Sequence, residues 1–217
     1  MTVAAMTDAK PAAPRLRADA SRNRARIITA AREAFVEHGA DVPLDEIARR
    51  AGVGNATLYR NFADRRELIH HVTLSVMTRV LDHAAVAVAE EPDPFEAVSR
   101  FAHAAADERI GALCPLLSDH IDRTDPTLEE TRVELERTVT ELIVRAQQAG
   151  RLRTDVGPGD FMVAVTQLTR PLPGTDCLDL EQFVHRHLQL FLDGLQAPAR
   201  SPLPGRAAAM EDLKRHH

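Results

Sequence analysis

Residues 44 to 62 read LDEIARRAGVGNATLYRNF, and this stretch holds the side chains best suited to acting on another molecule. Asn55 has the carboxamide that pairs bidentately with adenine. Ala56 and the Thr57 methyl suit thymine methyls, and Thr57, Tyr59 and Arg60 reach phosphates. Such groups read DNA only when a helix carries them into the major groove. The sequence supplies the parts for that: a short helix with Asp45 and Glu46 in its first turn, a turn at Gly52-Val53-Gly54, and a second short helix from about Asn55 to Asn61. Ile47, Ala48, Val53 and Leu58 are the apolar positions that would lock the two helices together. This is helix-turn-helix spacing. Any αα-corner with glycine shares it, so the spacing alone leaves both readings open.

The elements around this stretch are also legible. From Ser21, a candidate N-cap, Ile27, Ile28, Ala31 and Phe35 lie on one helical face, and Gly39 ends that helix. Asp64-Arg65-Arg66-Glu67 is an acidic variant of the capping box and opens a fourth helix with Leu68, Val72, Val76 and Val80 at spacings of four, running to about Glu90. Asp93-Pro94 starts a helix bearing Phe95, Val98, Phe101 and Ala105. Further helices are predicted over 110–121, 126–149, 159–169 and 179–195, with a Pro/Gly loop from Pro171 to Asp176. No alternating strand pattern of useful length and no repeat is found, so the fold class is all-α. The predicted organisation is a disordered basic arm over 1–20, a helix-turn-helix domain over 21–70, a second helical domain over 71–195 and a disordered tail over 196–217.

The composition excludes several classes. With 217 residues, 44% hydrophobic and 27% charged, the chain is neither disordered throughout nor fibrous. No uninterrupted apolar run approaches the length of a bilayer span and no signal peptide is read, so the expectation is a cytoplasmic protein without a membrane partner. Cys114 and Cys177 lack metal-ligand spacing. Ten histidines include the pairs His70-His71, His185/His187 and His216-His217, whose spacings do not suit a helical metal site. His103 and Asp107 have the right separation but no third ligand, so no metal and no cofactor is assigned. No Gly-rich phosphate loop, nucleophile elbow or HExxH pattern is present, so no catalytic residue is assigned. Residues 1–70 carry 12 Lys+Arg against 9 Asp+Glu and the remainder 15 against 23, which places the polyanion-facing surface in the first part.

The register Ile27-Ile28, Ala31, Phe35, Gly39, Ile47-Ala48, Ala51-Gly52-Val53, Ala56-Thr57-Leu58-Tyr59, Phe62, Arg65 and Leu68 resembles the tetracycline-repressor-like (TetR/AcrR) family of one-component regulators. The pattern from Asp93-Pro94-Phe95 through Ala149-Gly150 to Leu192-Asp193-Gly194-Leu195 is similar to an actinobacterial branch. Three positions depart from the family. Pro43 stands where a Ser or Thr cap is usual, Gly54 where Ser often caps the recognition helix, and Arg65 where Lys is usual. The resemblance implies a homodimeric repressor that binds an inverted-repeat operator in double-stranded DNA and is released by a small molecule. It makes Thr57, Tyr59 and Arg65 phosphate clamps and puts Asn55, Ala56 and Arg60 nearest the bases. Arg22 and Arg24 are read either as contacts of an N-terminal arm or as a solvated charge run.

In the second domain, Phe101, Cys114, Leu117, His120, Met162 and Gln167 are candidates to contact the effector, which the sequence does not name. Phe183, Leu190 and Phe191 are the candidate dimer interface. A helical small-molecule or metal sensor acting mainly through protein contacts is the alternative to a DNA-binding regulator.

Overall fold

The computed structural model describes residues 13–117, 120, 122, 124–170 and 181–213, and among these are nine α-helices and no strand. The all-α expectation holds. Two compact units divide between Leu68 and Ile69. The expected Pro171–Asp176 loop, Cys177 and residues 214–217 lie outside the described residues, as do residues 1–12.

The first unit holds α1 (Ala13–His38), α2 (Leu44–Arg50), α3 (Asn55–Asn61) and the first turn of α4 (Arg65–Glu90). Where the sequence reading places an unstructured arm up to residue 20, α1 already begins at Ala13. Alanine, leucine and arginine between 13 and 20 favour helix, and Pro14 falls in the first turn, where a missing N–H costs no hydrogen bond. Ile27, Ala31, Ala34 and Phe35 form the buried stripe of α1 and meet Ile47, Ala48, Leu58, Phe62 and Leu68 in one small core. Gly39 (φ +85°) and Gly52 (φ +62°) end α1 and α2 in the left-handed conformation that glycine adopts without strain. At the start of α4, Asp64 Oδ1 accepts the Glu67 N–H at 2.8 Å and the Glu67 carboxylate accepts the Ala63 N–H at 2.6 Å.

The second unit contains the rest of α4, then α5 (Pro94–Asp107), α6 (Ile110–Leu117), α7 (Pro126–Gln148), α8 (Pro158–Leu168) and α9 (Glu181–Leu195). Asp93 and Asp125 each cap a helix whose first residue is proline, accepting from the N–H groups of Phe95 (2.8 Å) and Leu128 (3.0 Å). Helix α5 packs against α6, α7, α8 and α9 and is the centre of the unit. Phe101 on α5 stacks on Phe161 of α8 at 6.1 Å, and Phe161 meets Phe191 of α9 at 6.3 Å. Gly111 on α6 lies against the backbone of Thr166 and Thr169 at the end of α8, an approach that leaves no room for a Cβ.

By length and mean hydropathy α4 is able to cross a bilayer. Its buried positions Leu68, Val72, Val76, Val80, Ala84 and Ala87 nonetheless recur every three or four residues, the pattern of a core helix. Arg79 and Asp82 fall near its middle, and the Arg79 guanidinium donates to both oxygens of the buried Glu108 carboxylate at 2.8 and 2.6 Å. That bidentate pair is favoured in a soluble core and costly in hydrocarbon.

The segment after α9 departs from the expected disordered tail as far as Leu213. It forms a strap that ends in a 3₁₀ turn (Met210–Leu213) packed on α8. The Gly159 N–H donates to the Ala208 carbonyl at 2.9 Å, and Asp160 Oδ2 accepts from the N–H groups of Gly157 (2.8 Å) and Ala208 (3.0 Å). A Cβ at Gly157 or Gly159 would collide with the carbonyls of Ala208 and Ala209. Further back, buried Arg153 donates to the Ser201 carbonyl at 2.6 Å and grips Asp155 at 2.7 and 2.9 Å. The strap is held through its backbone, so its own side chains show no periodicity.

The Arg153 guanidinium holds the Asp155 carboxyl down at about 2, from an ordinary value of 3.8. A folded-state value below the unfolded one means that this pairing stabilises the fold above the carboxylate range and loses its effect as pH falls from about 4 through about 2. Asp155→Asn is therefore expected to lower the Tm at neutral pH and to match the parent protein at about pH 2. A Tm difference that stays constant across that range in thermal melts would contradict this assignment.

Candidate nucleic-acid interface

Helix α3 has one buried anchor and an outward face. Leu58 is 1% exposed, whereas Asn55, Ala56 and Arg60 are exposed and the Tyr59 ring is 52% exposed. Thr57 is half-buried, one turn before Asn61. A seven-residue helix has little stability of its own, and neither short helix gets a side-chain cap. Pro43 before α2 and Gly54 before α3 provide none. What fixes α3 is packing and a set of contacts at its two ends.

At its start, Asn55 Nδ2 donates to Asp45 Oδ1 in the first turn of α2 at 2.9 Å. This contact crosses the turn and orients the carboxamide. The sequence marks Asp45 only as a first-turn acid of α2 and not as a partner of Asn55, because a partner ten positions away across a corner leaves no periodic signal. At the other end, Asn61 Nδ2 donates to the Thr57 carbonyl at 2.7 Å, while Arg24 Nη1 on α1 donates to the Asn61 carbonyl at 2.6 Å. The Arg24 guanidinium also lies over the Phe62 ring, 4.4 Å from its centroid. Two further arginines do comparable work. Arg26 Nη2 donates to the Gly52 carbonyl in the α2–α3 turn at 3.1 Å, and Arg65 Nη1 donates to the Ala40 carbonyl in the α1–α2 turn at 2.6 Å.

These partners alter the sequence reading of the basic residues. Arg24 was considered as an arm contact or a solvated charge; it is instead half-buried against α3. Arg22 is exposed and pairs with Asp19 within α1. Arg60 folds back along its own helix, with Nε to the Ala56 carbonyl at 3.0 Å and Nη2 to Thr57 Oγ1 at 3.1 Å. Arg65 keeps the remainder of its five N–H donors beyond the one used on Ala40. On α2, Arg50 and Arg49 both donate to Glu46, and these hydrogen bonds lower its pKa.

The second-domain candidates are not brought to one place. Phe101 and Leu117 are fully buried core residues and Met162 is half-buried, while Cys114 and His120 are exposed. Gln167 is on the opposite face of α8 from Phe161 and Val165, where it lines an open groove of about 860 Å³ with Val163, Leu168, Leu190, Phe191 and the strap residue Ala208. Phe183 and Leu190 are 42% and 63% exposed. His103 and His185 meet at 2.8 Å between their Nδ1 atoms, and His185 Nε2 is 3.1 Å from Asp107. Among the described residues no group of three or more His, Cys, Asp or Glu side chains is arranged to hold a metal ion.

Comparison with known proteins bears on both units. Residues 27–72 match the model for bacterial regulatory proteins of the tetR family, and residues 93–197 match the model for the C-terminal domain of SbtR-like transcriptional regulators. The chain is 34% identical to the TetR transcription regulatory protein from Mycobacterium vanbaalenii, covering 84% of this chain and 99% of that one with a TM-score of 0.58. It is 30% identical to the TetR transcriptional regulator SCO0520 from Streptomyces coelicolor, covering 81% and 99% with a TM-score of 0.61. A curated HTH-type transcriptional regulator from Staphylococcus aureus is 40% identical over 58 residues, which are 26% of this chain and 31% of that protein. The matched residues span the corner from α2 to α3 and the helices that hold it, and the chain belongs to the tetR family of transcriptional regulators, with an N-terminal helix-turn-helix DNA-binding domain.

Proposed function

We propose that this regulator is a cytoplasmic, ligand-responsive repressor that binds an inverted-repeat operator as a homodimer and leaves it when a small molecule occupies the second unit. The outward face of α3 carries the reading. With Leu58 turned into the core, Asn55, Ala56, Thr57, Tyr59 and Arg60 are what remains to meet DNA. Asn55, Ala56 and Arg60 face the bases in this reading, and Thr57, Tyr59 and Arg65 hold phosphates. Arg22 contacts the backbone once released from Asp19.

Dimerisation is supported by the apolar surface of α8 and α9, where Val163, Phe183 and Leu190 are exposed beside the groove. A twofold axis there gives two copies of α3 and hence two half-sites about one helical turn, or a multiple of it, apart. For the effector, the proposed contacts are Phe101, Cys114, Leu117 and Met162 on α5, α6 and α8, with His120 just beyond α6 and Gln167 on the outer face of α8. The row Phe101–Phe161–Phe191 joins that interior to the α9 face, so a molecule displacing Phe101 would be felt there. Helix α4 belongs to both units; its 26 residues span about 39 Å.

Selection of bound genomic fragments by the purified protein tests the function. Recovery of a symmetric motif supports it, and retention of fragments without any shared motif overturns it. With the recovered duplex in hand, Asn55→Ala is expected to reduce the preference for operator over scrambled DNA by about 1 to 3 kcal/mol. Thr57→Ala and Tyr59→Ala are expected to weaken both alike. Circular dichroism on each variant separates loss of contact from loss of fold. For release, an inducer must bind more weakly to the operator complex by the same factor by which it weakens DNA binding. A candidate ligand with equal affinity in both titrations is not the inducer.

A further inference from the structure

We infer that Arg24 is a positioning residue of the recognition helix: from α1 it holds the C-terminal carbonyl of α3 and the Phe62 ring together, and so fixes the angle at which α3 presents its reading face. The inference rests on the reading of α3 as the helix that meets bases.

The chemistry at this point is specific to a guanidinium. Asn61 is the last residue of α3, and its carbonyl is among the four that a helix leaves without an internal partner. A cation placed there also complements the negative end of the helix. Phe62, the next residue, is in extended backbone and is completely buried. The Arg24 guanidinium therefore sits over a fully buried ring, 4.4 Å from its centroid, and donates to the carbonyl one residue earlier at 2.6 Å. A planar, delocalised group does both at once. An ammonium has no planar face to stack while it donates, so lysine serves one role or the other. With no side-chain cap at Gly54, this is one of few contacts that constrain the tilt of α3. A phosphate contact, the role a basic residue near an N-terminal arm invites, is the competing role for the guanidinium's other N–H groups.

The two roles differ in their dependence on salt. The test uses the full chain, a selected inverted-repeat duplex and a scrambled duplex of the same length, with affinities measured over about 50 to 200 mM salt. For Arg24→Ala and Arg24→Lys alike, the expected result is that scrambled-DNA binding keeps the parent's salt slope while the ratio of operator to scrambled affinity falls about 5-fold or more. A phosphate contact predicts something different: in Arg24→Ala the slope drops by about one and both duplexes weaken equally, and Arg24→Lys restores most of the loss. That outcome, or an unchanged ratio in both variants, overturns the inference. If circular dichroism shows Arg24→Ala unfolded, Arg24→Lys decides by the same criterion. If the parent protein shows no preference for the selected duplex, it is the reading of α3 that fails.

Discussion

Leu190→Arg is expected to leave the protein monomeric at micromolar concentration and to remove most of its preference for symmetric DNA. Leu190 is 63% exposed on α9, at the lip of a groove lined by Val163, Leu168 and Phe191. In a twofold interface every residue appears twice, and near the axis it faces its own copy or a close neighbour. Arginine there removes an apolar contact from both subunits and buries two like charges. An interface hot spot contributes about 2 kcal/mol or more, so the paired loss amounts to about 4 kcal/mol, roughly a thousandfold in dimer dissociation constant. The fold itself should be little affected, since an exposed substitution away from special features changes stability by about 0.5 kcal/mol or less. Sedimentation velocity and a melting curve on the same sample separate the two effects. A dimer of undiminished stability would put the interface elsewhere on the molecule.

Gly111→Val is expected to destabilise the second unit while leaving the helix-turn-helix unit folded. The would-be Cβ of Gly111 collides with the Thr166 carbonyl and with Thr169, and two of the three nearest atoms are backbone. Backbone within a packed helix retreats only if the helix moves, so α6 and α8 must separate. Overpacking of this kind costs about 1 to 3 kcal/mol and sometimes more, which lowers the Tm of a unit this size by about 2 to 12 °C. Scanning calorimetry reads it directly. An unchanged Tm would mean that α6 is not docked on α8 as the structure has it. The clash begins at the Cβ, so Gly111→Ala should destabilise in the same direction as Gly111→Val.

The helix-turn-helix unit was legible because its signals are local. Asp64 with Glu67, the apolar positions Ile47, Ala48 and Leu58, and the glycines at 39 and 52 each act within a few residues. The same holds for the Asp-Pro starts of α5 and α7. What stayed hidden depends on partners that carry no sequence signature. The carbonyls of Ala40, Gly52 and Asn61 accept from Arg65, Arg26 and Arg24, and every residue in a chain offers a carbonyl. A charge count therefore reads as polyanion binding what is partly internal bracing. On α8, periodicity separates Phe161 and Val165 from Val163 and Gln167 but does not say which face meets which neighbour. Gln167, expected among the effector contacts, lines the outer groove for that reason.

The strap from Gln196 to Leu213 has a consequence for where this protein can be cut. The family model for the second unit stops at residue 197, the length that an experimenter guided by relatives would keep. A chain shortened there would lose the acceptor for the Gly159 N–H, one of the two N–H groups on Asp160, and the Ser201 carbonyl that receives Arg153. It would also uncover the two glycines over which the strap lies and remove Ala208 from the wall of the α8–α9 groove. The family model thus ends some sixteen residues before the last described residue of the strap, which still packs on α8.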